Sequence, residues 1–410
     1  MKTLLILGAG AGGSMIANKM LRMLDLSKWQ IVIVDKDENH YYQPGFLFVP
    51  FEVENLARFV KPKEKYLPKN TRFILSDIEI IEPDKNQVAL TKDNEVIKYD
   101  YLVIATGTDI KPSEIDGMTG EDWHQNIHDF YTPEGTLAMK KYLQNWDGGR
   151  LVINIAEMPI KCPVAPLEFA FMADWYFQKR KMRNKVEISY VTPLSGAFTK
   201  ERAANLLGNM LEEKNINIVP DFNIGEVDID KKVIKSFDER EVAYDLLVTI
   251  PTNMGAEVYE RSGMGDELNH IPTDKNTLQS KKWENIFVIG DASDVPTSKA
   301  GSVVHFMHDT LAENIINHIN NKPLVPKFDG HANCFIETGF HKGILIDFNY
   351  DVDPLPGVYP YPLIGPFSLL KESYMNHLGK IAFDSIYWNF LVRAIPMPIT
   401  HTLSMAGKRK

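Results

Sequence analysis

Residues 3–35 read TLLILGAGAGGSMIANKMLRMLDLSKWQIVIVD. An apolar run, Thr3–Leu7, meets a glycine turn spaced G-x-G-x-x-G at Gly8, Gly10 and Gly13, with Gly12 inside it. A helical pattern follows from Ser14 to about Leu24, and a second apolar run, Ile31–Val34, ends at Asp35. Strand, glycine turn, helix, strand and acid in this order predict a βαβ unit that binds a dinucleotide. Glycines permit the tight turn and let the backbone and the helix N-terminus approach a pyrophosphate. Asp35 is placed to accept hydrogen bonds from the adenosine ribose, with Lys36 beside it at the same end. A glycine-rich turn in an unrelated α/β protein leaves the acid unexplained.

Two later segments select the dinucleotide. Residues 99–108, YDYLVIATGT, form an apolar strand closing on Ala105, Thr106 and Gly107, and residues 284–291, ENIFVIGD, form another ending in Gly290 and Asp291. A nicotinamide dinucleotide needs no distant strand ending in Gly-Asp. FAD does, because it lies extended across its domain and an acid there can bind the ribitol hydroxyls. Lys299 and Gly301, where the next helix starts, complete the set assigned to FAD. The motifs lie on both sides of a long insertion, so the fold class predicted is α/β with two Rossmann-like domains. The FAD domain is split into residues 1–110 and 251–330 around a second domain at 111–250, and residues 331–410 form a C-terminal region.

A chain of 410 residues suits two or three domains. With 45 Lys+Arg against 54 Asp+Glu it is mildly acidic, which argues against nucleic-acid binding. Two cysteines make no disulfide framework in a chain this long. The opening apolar run is a strand followed at once by glycines, so no secretory signal is expected. His124, His128, His305, His308, His331 and His341 lack metal-ligand spacing, and no metal site is expected.

In the second domain, strand Leu151–Ala156, helix Leu167–Gln178, and strands Val186–Val191 and Leu246–Ile250 repeat the α/β pattern. A nicotinamide site would place a glycine fingerprint after the first strand and an acid after Val191. The turn instead carries Pro159, Lys161, Cys162, Pro163 and Pro166, and Thr192-Pro193 follows the later strand. Cys162 falls at a helix N-terminus beside a lysine, a setting expected to lower a thiol pKa. The other cysteine, Cys334, lies in residues 332–343, ANCFIETGFHKG. Each cysteine is either a reactive thiol or an inert core residue, since free cysteine is among the most buried residue types.

These features together resemble the sulfide:quinone oxidoreductase family. The FAD motifs, the turn KCPVAPLEF at 161–169, Thr192-Pro193, residues 299–305 (KAGSVVH), the Cys334 segment and the C-terminal tail carry the resemblance along essentially the whole chain. It implies that Cys162 and Cys334 form a disulfide or sulfur-bridged pair beside the flavin and that hydrosulfide attacks the bridge. Cys162 then keeps sulfur as a persulfide, and Cys334 passes two electrons on through flavin C4a. Glu168 is assigned to proton shuttling, or to a favourable place at a helix start. Lys342 is assigned to stabilising reduced flavin or quinone, or is a solvated surface lysine. A third cysteine usual in the family is absent from residues 124–133, HQNIHDFYTP, so FAD is not linked through a cysteine thioether.

Residues 371–410 hold six basic residues (Lys371, Lys380, Arg393, Lys408, Arg409, Lys410) and two acidic ones (Glu372, Asp384). From Leu378 to Leu391 a helical stretch carries Ile381, Phe383, Ile386, Tyr387, Trp388, Phe390 and Leu391. It is too short to span a bilayer. It suits a membrane surface, or else packing on the core or a dimer partner. The implied partners are sulfide, a membrane quinone as electron acceptor, the lipid bilayer surface and a second copy of the chain as a homo-oligomer. The expected location is peripheral, monotopic, on the cytoplasmic face of the cell membrane. A type II NADH:quinone oxidoreductase is the main alternative, and it requires the glycines and acid that the second domain lacks. A cytochrome-linked sulfide dehydrogenase subunit and a non-catalytic flavin protein are further alternatives.

Overall fold

In the computed structural model all residues are described except 363, 400 and 410. The chain lays down β1 (Lys2–Leu7), α1 (Ala11–Met23), β2 (Trp29–Asp35), β3 (Arg72–Leu75) and β4 (Tyr101–Ile104). It then builds a second unit from β5 (Ile127–His128), β6 (Gly149–Ile155), α2 (Ala165–Lys179), β7 (Val186–Val191), β8 (Ile216–Val219) and β9 (Leu246–Ile250). The return strand β10 (Ile286–Val288) joins the first unit, and α3 (Gly301–Ile319) follows it. The first sheet has the order β10-β4-β1-β2-β3 and the second β5-β9-β6-β7-β8, with every neighbouring pair parallel. Each parallel sheet is covered by helices on one face and by a three-stranded antiparallel sheet on the other, so its strands must be apolar along their length. Leu4 to Leu7, Ile31 to Val34 and Leu151 to Ile153 are buried accordingly.

The two units are joined by connectors that cross side by side, Asp109–Lys111 pairing antiparallel with Thr252–Met254. Both sheets present their strand C-terminal ends toward the turns that follow β1, β4, β6 and β10. In open parallel sheets this is where ligands bind.

The C-terminal region adds β11 (Ala332–Gly339) and β12 (Lys342–Phe348), an antiparallel hairpin, then β13 (Gly357–Tyr359) and β14 (Phe367–Leu369) in the order β11-β12-β14-β13. Helix α4 (Tyr374–Ile386) packs on this sheet and runs into a π-helical turn, Tyr387–Leu391. Ser373 caps α4, its side chain accepting from the Asn376 N–H. Among the described residues no helix is long and apolar enough to cross a membrane.

The helix faces depart from the sequence expectation. Lys380 and Asp384, the charged residues of the apolar stretch, are buried, and so are Tyr387, Trp388 and Leu391. Those three apolar residues pack on the protein and are not available to a bilayer. Tyr374, Met375, Leu378 and Phe390 are the exposed ones. Burial of Asp384 is compensated by Arg58, whose Nε donates to its Oδ2 at 2.9 Å. Lys410, counted in the basic tail, lies outside the described residues.

Candidate active site

The first glycine turn is built for close approach. Gly8 has φ +94°, and a Cβ there would sit 2.4 Å from the Ala105 carbonyl oxygen. A Cβ at Gly13 would fall 1.8 Å from the Gly8 carbonyl oxygen, and one at Gly12 would crowd Ile289. Gly10 and Gly107 (φ +72°) are different, since a Cβ at either meets nothing in the protein. Their open sides face the space a ligand backbone contact would use. Gly107 lines a cavity of about 240 Å³ together with Gly8, Asp35, Lys36, Asp77 and Thr106 among others.

Asp35 sits at the floor of this cavity. Its Oδ2 accepts from the Ala9 N–H at 2.5 Å, and its Oδ1 accepts from the Asp37 N–H at 2.9 Å and pairs with Lys63 Nζ at 2.6 Å. A carboxylate offers about four acceptor positions, so one remains for a ribose hydroxyl. Lys36 is exposed and pairs with Asp109 at 3.1 Å.

Asp291 follows Gly290, which has φ +74°. Among the described residues its half-buried carboxylate has no hydrogen-bond partner. Burial raises its pKa, against the opposing pull of Lys299 and Lys161. An acid in this position lacks what a ribitol hydroxyl would supply. Lys299 is buried, donates to the Asp291 carbonyl oxygen at 3.1 Å and also bonds the Ser293 carbonyl. It thereby fixes the loop that leads to Gly301 and the N-terminus of α3. The open glycines, the part-satisfied Asp35 and the unpartnered Asp291 fit an extended FAD.

Cys162 is pinned against this same loop. Its N–H donates to the Lys299 carbonyl at 2.6 Å, and it holds φ +50°, an uncommon conformation for a residue with a side chain. Such strain persists only where surroundings enforce it, and it concentrates at functional sites. Tyr131 OH donates to the Lys161 carbonyl at 2.6 Å, holding the turn from the other side.

The expected thiol activation is not what the turn provides. Lys161 turns away from the sulfur and donates its Nζ to the Thr108 carbonyl at 3.0 Å. The Val164 and Ala165 N–H groups of the α2 N-terminus do favour a thiolate, as does Lys380. Burial outweighs them, and the Cys162 thiol is pushed up to about 12. Cys334, on β11, is raised too, first by burial and then by the charge of Cys162. The two unbridged sulfurs thus lie within each other's field, although one comes from the second domain and the other from the C-terminal hairpin.

Glu168 and Lys380 complete this centre. Lys380 Nζ stands 2.7 Å from Glu168 Oε1, and both side chains are buried. Lys380 also donates to the Phe335 carbonyl at 3.1 Å, and Glu168 Oε1 accepts from the Glu337 N–H at 2.7 Å. The ammonium charge favours the thiolate of both cysteines. Lys342 is not part of this group. It is exposed and pairs with Glu372 at 3.1 Å.

In the sequence Lys380 counts only among the basic residues of the tail, because an isolated lysine in an aromatic-rich helix ordinarily marks its solvated side. The overlooked signal is positional. His377, Lys380 and Asp384 recur at helical spacing and share one face, while Tyr374, Met375 and Leu378 take the other.

Residues 2–152 match the model of the Pyridine nucleotide-disulphide oxidoreductase family. The mitochondrial sulfide:quinone oxidoreductase of Mus musculus is 28% identical over 396 residues, 95% of this chain and 86% of that protein. The solved structure of the sulfide:quinone oxidoreductase from the hyperthermophilic bacterium Aquifex aeolicus superposes with a TM-score of 0.78 at 23% identity, covering 97% of this chain and 93% of that one. A type II NADH:quinone oxidoreductase of Staphylococcus haemolyticus is more distant, 21% identical over 378 residues, 86% of this chain and 91% of that protein. The chain is therefore an oxidoreductase homologue whose resemblance to sulfide:quinone oxidoreductases extends over 95% of its length.

Proposed function

We propose that this chain oxidises sulfide and passes the electrons through FAD to a quinone, with Cys162 and Cys334 as its redox pair. The observation that carries the reading is the convergence of the two cysteines on one buried Glu168–Lys380 pair. It is supported by a proline-bounded turn standing where a nicotinamide dinucleotide would need glycines.

Gly8, Gly10, Gly12, Gly13, Asp35, Lys36, Ala105, Thr106 and Gly107 would hold the adenosine and pyrophosphate half of FAD. Gly290, Asp291, Lys299 and Gly301 would hold the rest. When bound, FAD supplies the two-electron acceptor between sulfur and quinone. The protein's part is to place and polarise the sulfur. Hydrosulfide attacks the oxidised Cys162–Cys334 bridge, forming an S–S bond to Cys162 and releasing Cys334 as a thiolate. In a buried centre that thiolate needs a cation, and the Lys380 charge favours the thiolates of both cysteines. The persulfide and the Cys334 thiolate would then close to a trisulfide bridge, their two electrons leaving to bound FAD and on to the quinone, before a further hydrosulfide could attack. The exposed apolar residues of the C-terminal region (Tyr374, Met375, Leu378, Phe390) give a peripheral membrane contact on the side from which a lipid-soluble quinone enters.

The test is anaerobic absorbance of the FAD-loaded protein with sulfide and NADH added separately. Bleaching of the flavin band by sulfide alone, with recovery on adding a soluble quinone, is the expected result. Bleaching by NADH and not by sulfide overturns the reading in favour of an NADH:quinone oxidoreductase.

A further inference from the structure

We propose that His377 and Glu337 form a proton path from solvent to the buried Glu168–Lys380 pair beside the two cysteines. This inference rests on the sulfide:quinone reading. With hydrosulfide as donor, that reaction balances as HS⁻ + quinone + H⁺ → sulfane sulfur + quinol. Sulfur loses two electrons, and the quinone gains two electrons and two protons. One proton comes from hydrosulfide, and the other must be drawn from solvent at every turnover. Oxidation frees the hydrosulfide proton at the cysteine centre, where Cys334, Glu168 and Lys380 are buried and Cys162 is partly so, and proton exchange between that centre and solvent needs a route.

The structure offers one. Glu337 lies three residues beyond Cys334 on β11 and is 2% exposed. Its N–H bonds Glu168 Oε1, and its own Oε2 lies 2.8 Å from His377 Nδ1. His377 stands one helical turn before Lys380 on α4, so the two share the face that meets β11. The His377 ring meets that of His341, which is exposed, at 5.3 Å, and that of Tyr374 at 6.1 Å. Glu337 thus stands between His377, which its carboxylate meets, and Glu168, which its backbone N–H meets, with the exposed His341 on the outer side of His377.

The charged and titratable groups facing Glu337 are His377, Glu168 and Lys380. Those facing His377 are Glu337, His341 and Tyr374. The Lys342–Glu372 pair lies on the rim of the same hairpin, Glu372 Oε1 accepting from Thr338 Oγ1 at 2.7 Å. Burial raises the carboxyl pKa of both Glu168 and Glu337, against opposing pulls from Lys380 and His377. Carboxyls tuned upward in this way exchange protons nearer neutral pH, and imidazole is the side chain suited to pass them on. The competing role for Glu337 and His377 is a purely structural clamp of α4 on β11.

The test uses the FAD-loaded full chain and the variants His377→Ala, His377→Gln and Glu337→Gln. It measures kcat and KM for sulfide with a soluble quinone across the pH range in which histidine titrates. The assays run in H2O and D2O, with and without imidazole. The path predicts that His377→Ala lowers kcat on the order of 10²-fold and leaves KM within about twofold. It also predicts an increased solvent isotope effect and a rate partly restored by imidazole. Glu337→Gln falls similarly without rescue. His377→Gln keeps the hydrogen-bonding and bulk of the clamp, so it must fall like His377→Ala. A near-normal kcat in His377→Gln, or a loss in His377→Ala that imidazole leaves untouched at an unchanged isotope effect, overturns the path and leaves the clamp. If sulfide fails to bleach the unaltered protein, the functional reading falls first and the path with it.

Discussion

Lys380 reaches from α4 to Glu168 on α2, Nζ to Oε1 2.7 Å, and so joins the C-terminal region to the second domain within the field of both cysteines. The pair has two consequences that can be separated. Removing one partner leaves a bare charge in the core, which typically costs about 3–5 kcal/mol. Replacing both by apolar residues of similar size is often neutral or stabilising. Lys380→Met is therefore expected to lower the melting temperature sharply, and Lys380→Met with Glu168→Leu to recover most of it. Activity behaves differently, because Lys380 is the cation that favours both thiolates. Both variants should bleach slowly with sulfide. A double variant that recovers stability and rate together removes Lys380 from the mechanism.

The cysteines themselves predict a pH dependence opposite to that of an activated thiol. Burial holds Cys162 up at about 12, against an ordinary value of 9.0. In the reduced, cofactor-free protein, alkylation by iodoacetamide should climb steadily as pH rises and show no plateau near neutrality. Stability follows by linkage. The folded state keeps the Cys162 proton where the unfolded chain has lost it, so this contribution is fully present below 9.0 and declines as pH rises toward about 12. Cys334 adds in the same direction. A Cys162→Ala variant should lose part of that alkaline decline in urea unfolding measured at successive pH values. An alkylation plateau near neutral pH would show that the thiolate is stabilised in the reduced protein.

Much of this was legible because the relevant residues are neighbours in sequence. Gly8 to Asp35 is one βαβ unit, and its strands lie within two residues of their expected ends because apolar runs between glycines and charges bound them tightly. The prolines and Cys162 of the second-domain turn are equally local. What pairs with Cys162 is not. Cys334 arrives on a hairpin, and Lys380 on a helix whose buried face is the charged one, against the ordinary pattern in which charge marks solvent. Such an inversion occurs where a buried carboxylate demands a cation, and Glu168 is far away in sequence. Lys161 misled for a related reason: adjacency to Cys162 said nothing of where its long side chain would end, which is the Thr108 carbonyl.

The glycine turn separates folding from cofactor retention. Gly13→Ala sets a Cβ 1.8 Å from the Gly8 carbonyl, so the turn itself must deform. The Cβ of Gly10→Val meets nothing within 4 Å in the protein, and its side chain extends into the side left for a pyrophosphate. Gly10→Val is expected to give a folded, colourless protein with a cooperative melt, and Gly13→Ala a poorly folded one. Yellow, FAD-bearing Gly10→Val protein would show that the dinucleotide does not pass this turn.

The outer face of α4 tests the membrane contact without touching the redox centre. Tyr374, Met375, Leu378 and Phe390 are exposed while His377, Lys380 and Asp384 of the same stretch face inward, so charge added outside need not disturb the pairs inside. An interfacial helix binds in proportion to its buried apolar area and to the attraction of nearby basic groups for anionic lipid. Leu378→Glu with Phe390→Glu removes apolar area and adds repulsion. The variant is expected to stay in solution when sedimented with anionic vesicles that bring down the unaltered protein, while sulfide still bleaches its flavin and a water-soluble quinone still restores it. Turnover with a long-chain quinone carried in the vesicles should fall in step with the binding. If sedimentation is unchanged, the exposed face meets something other than lipid, and a second copy of the chain becomes the occupant to test by the concentration dependence of its mass in solution.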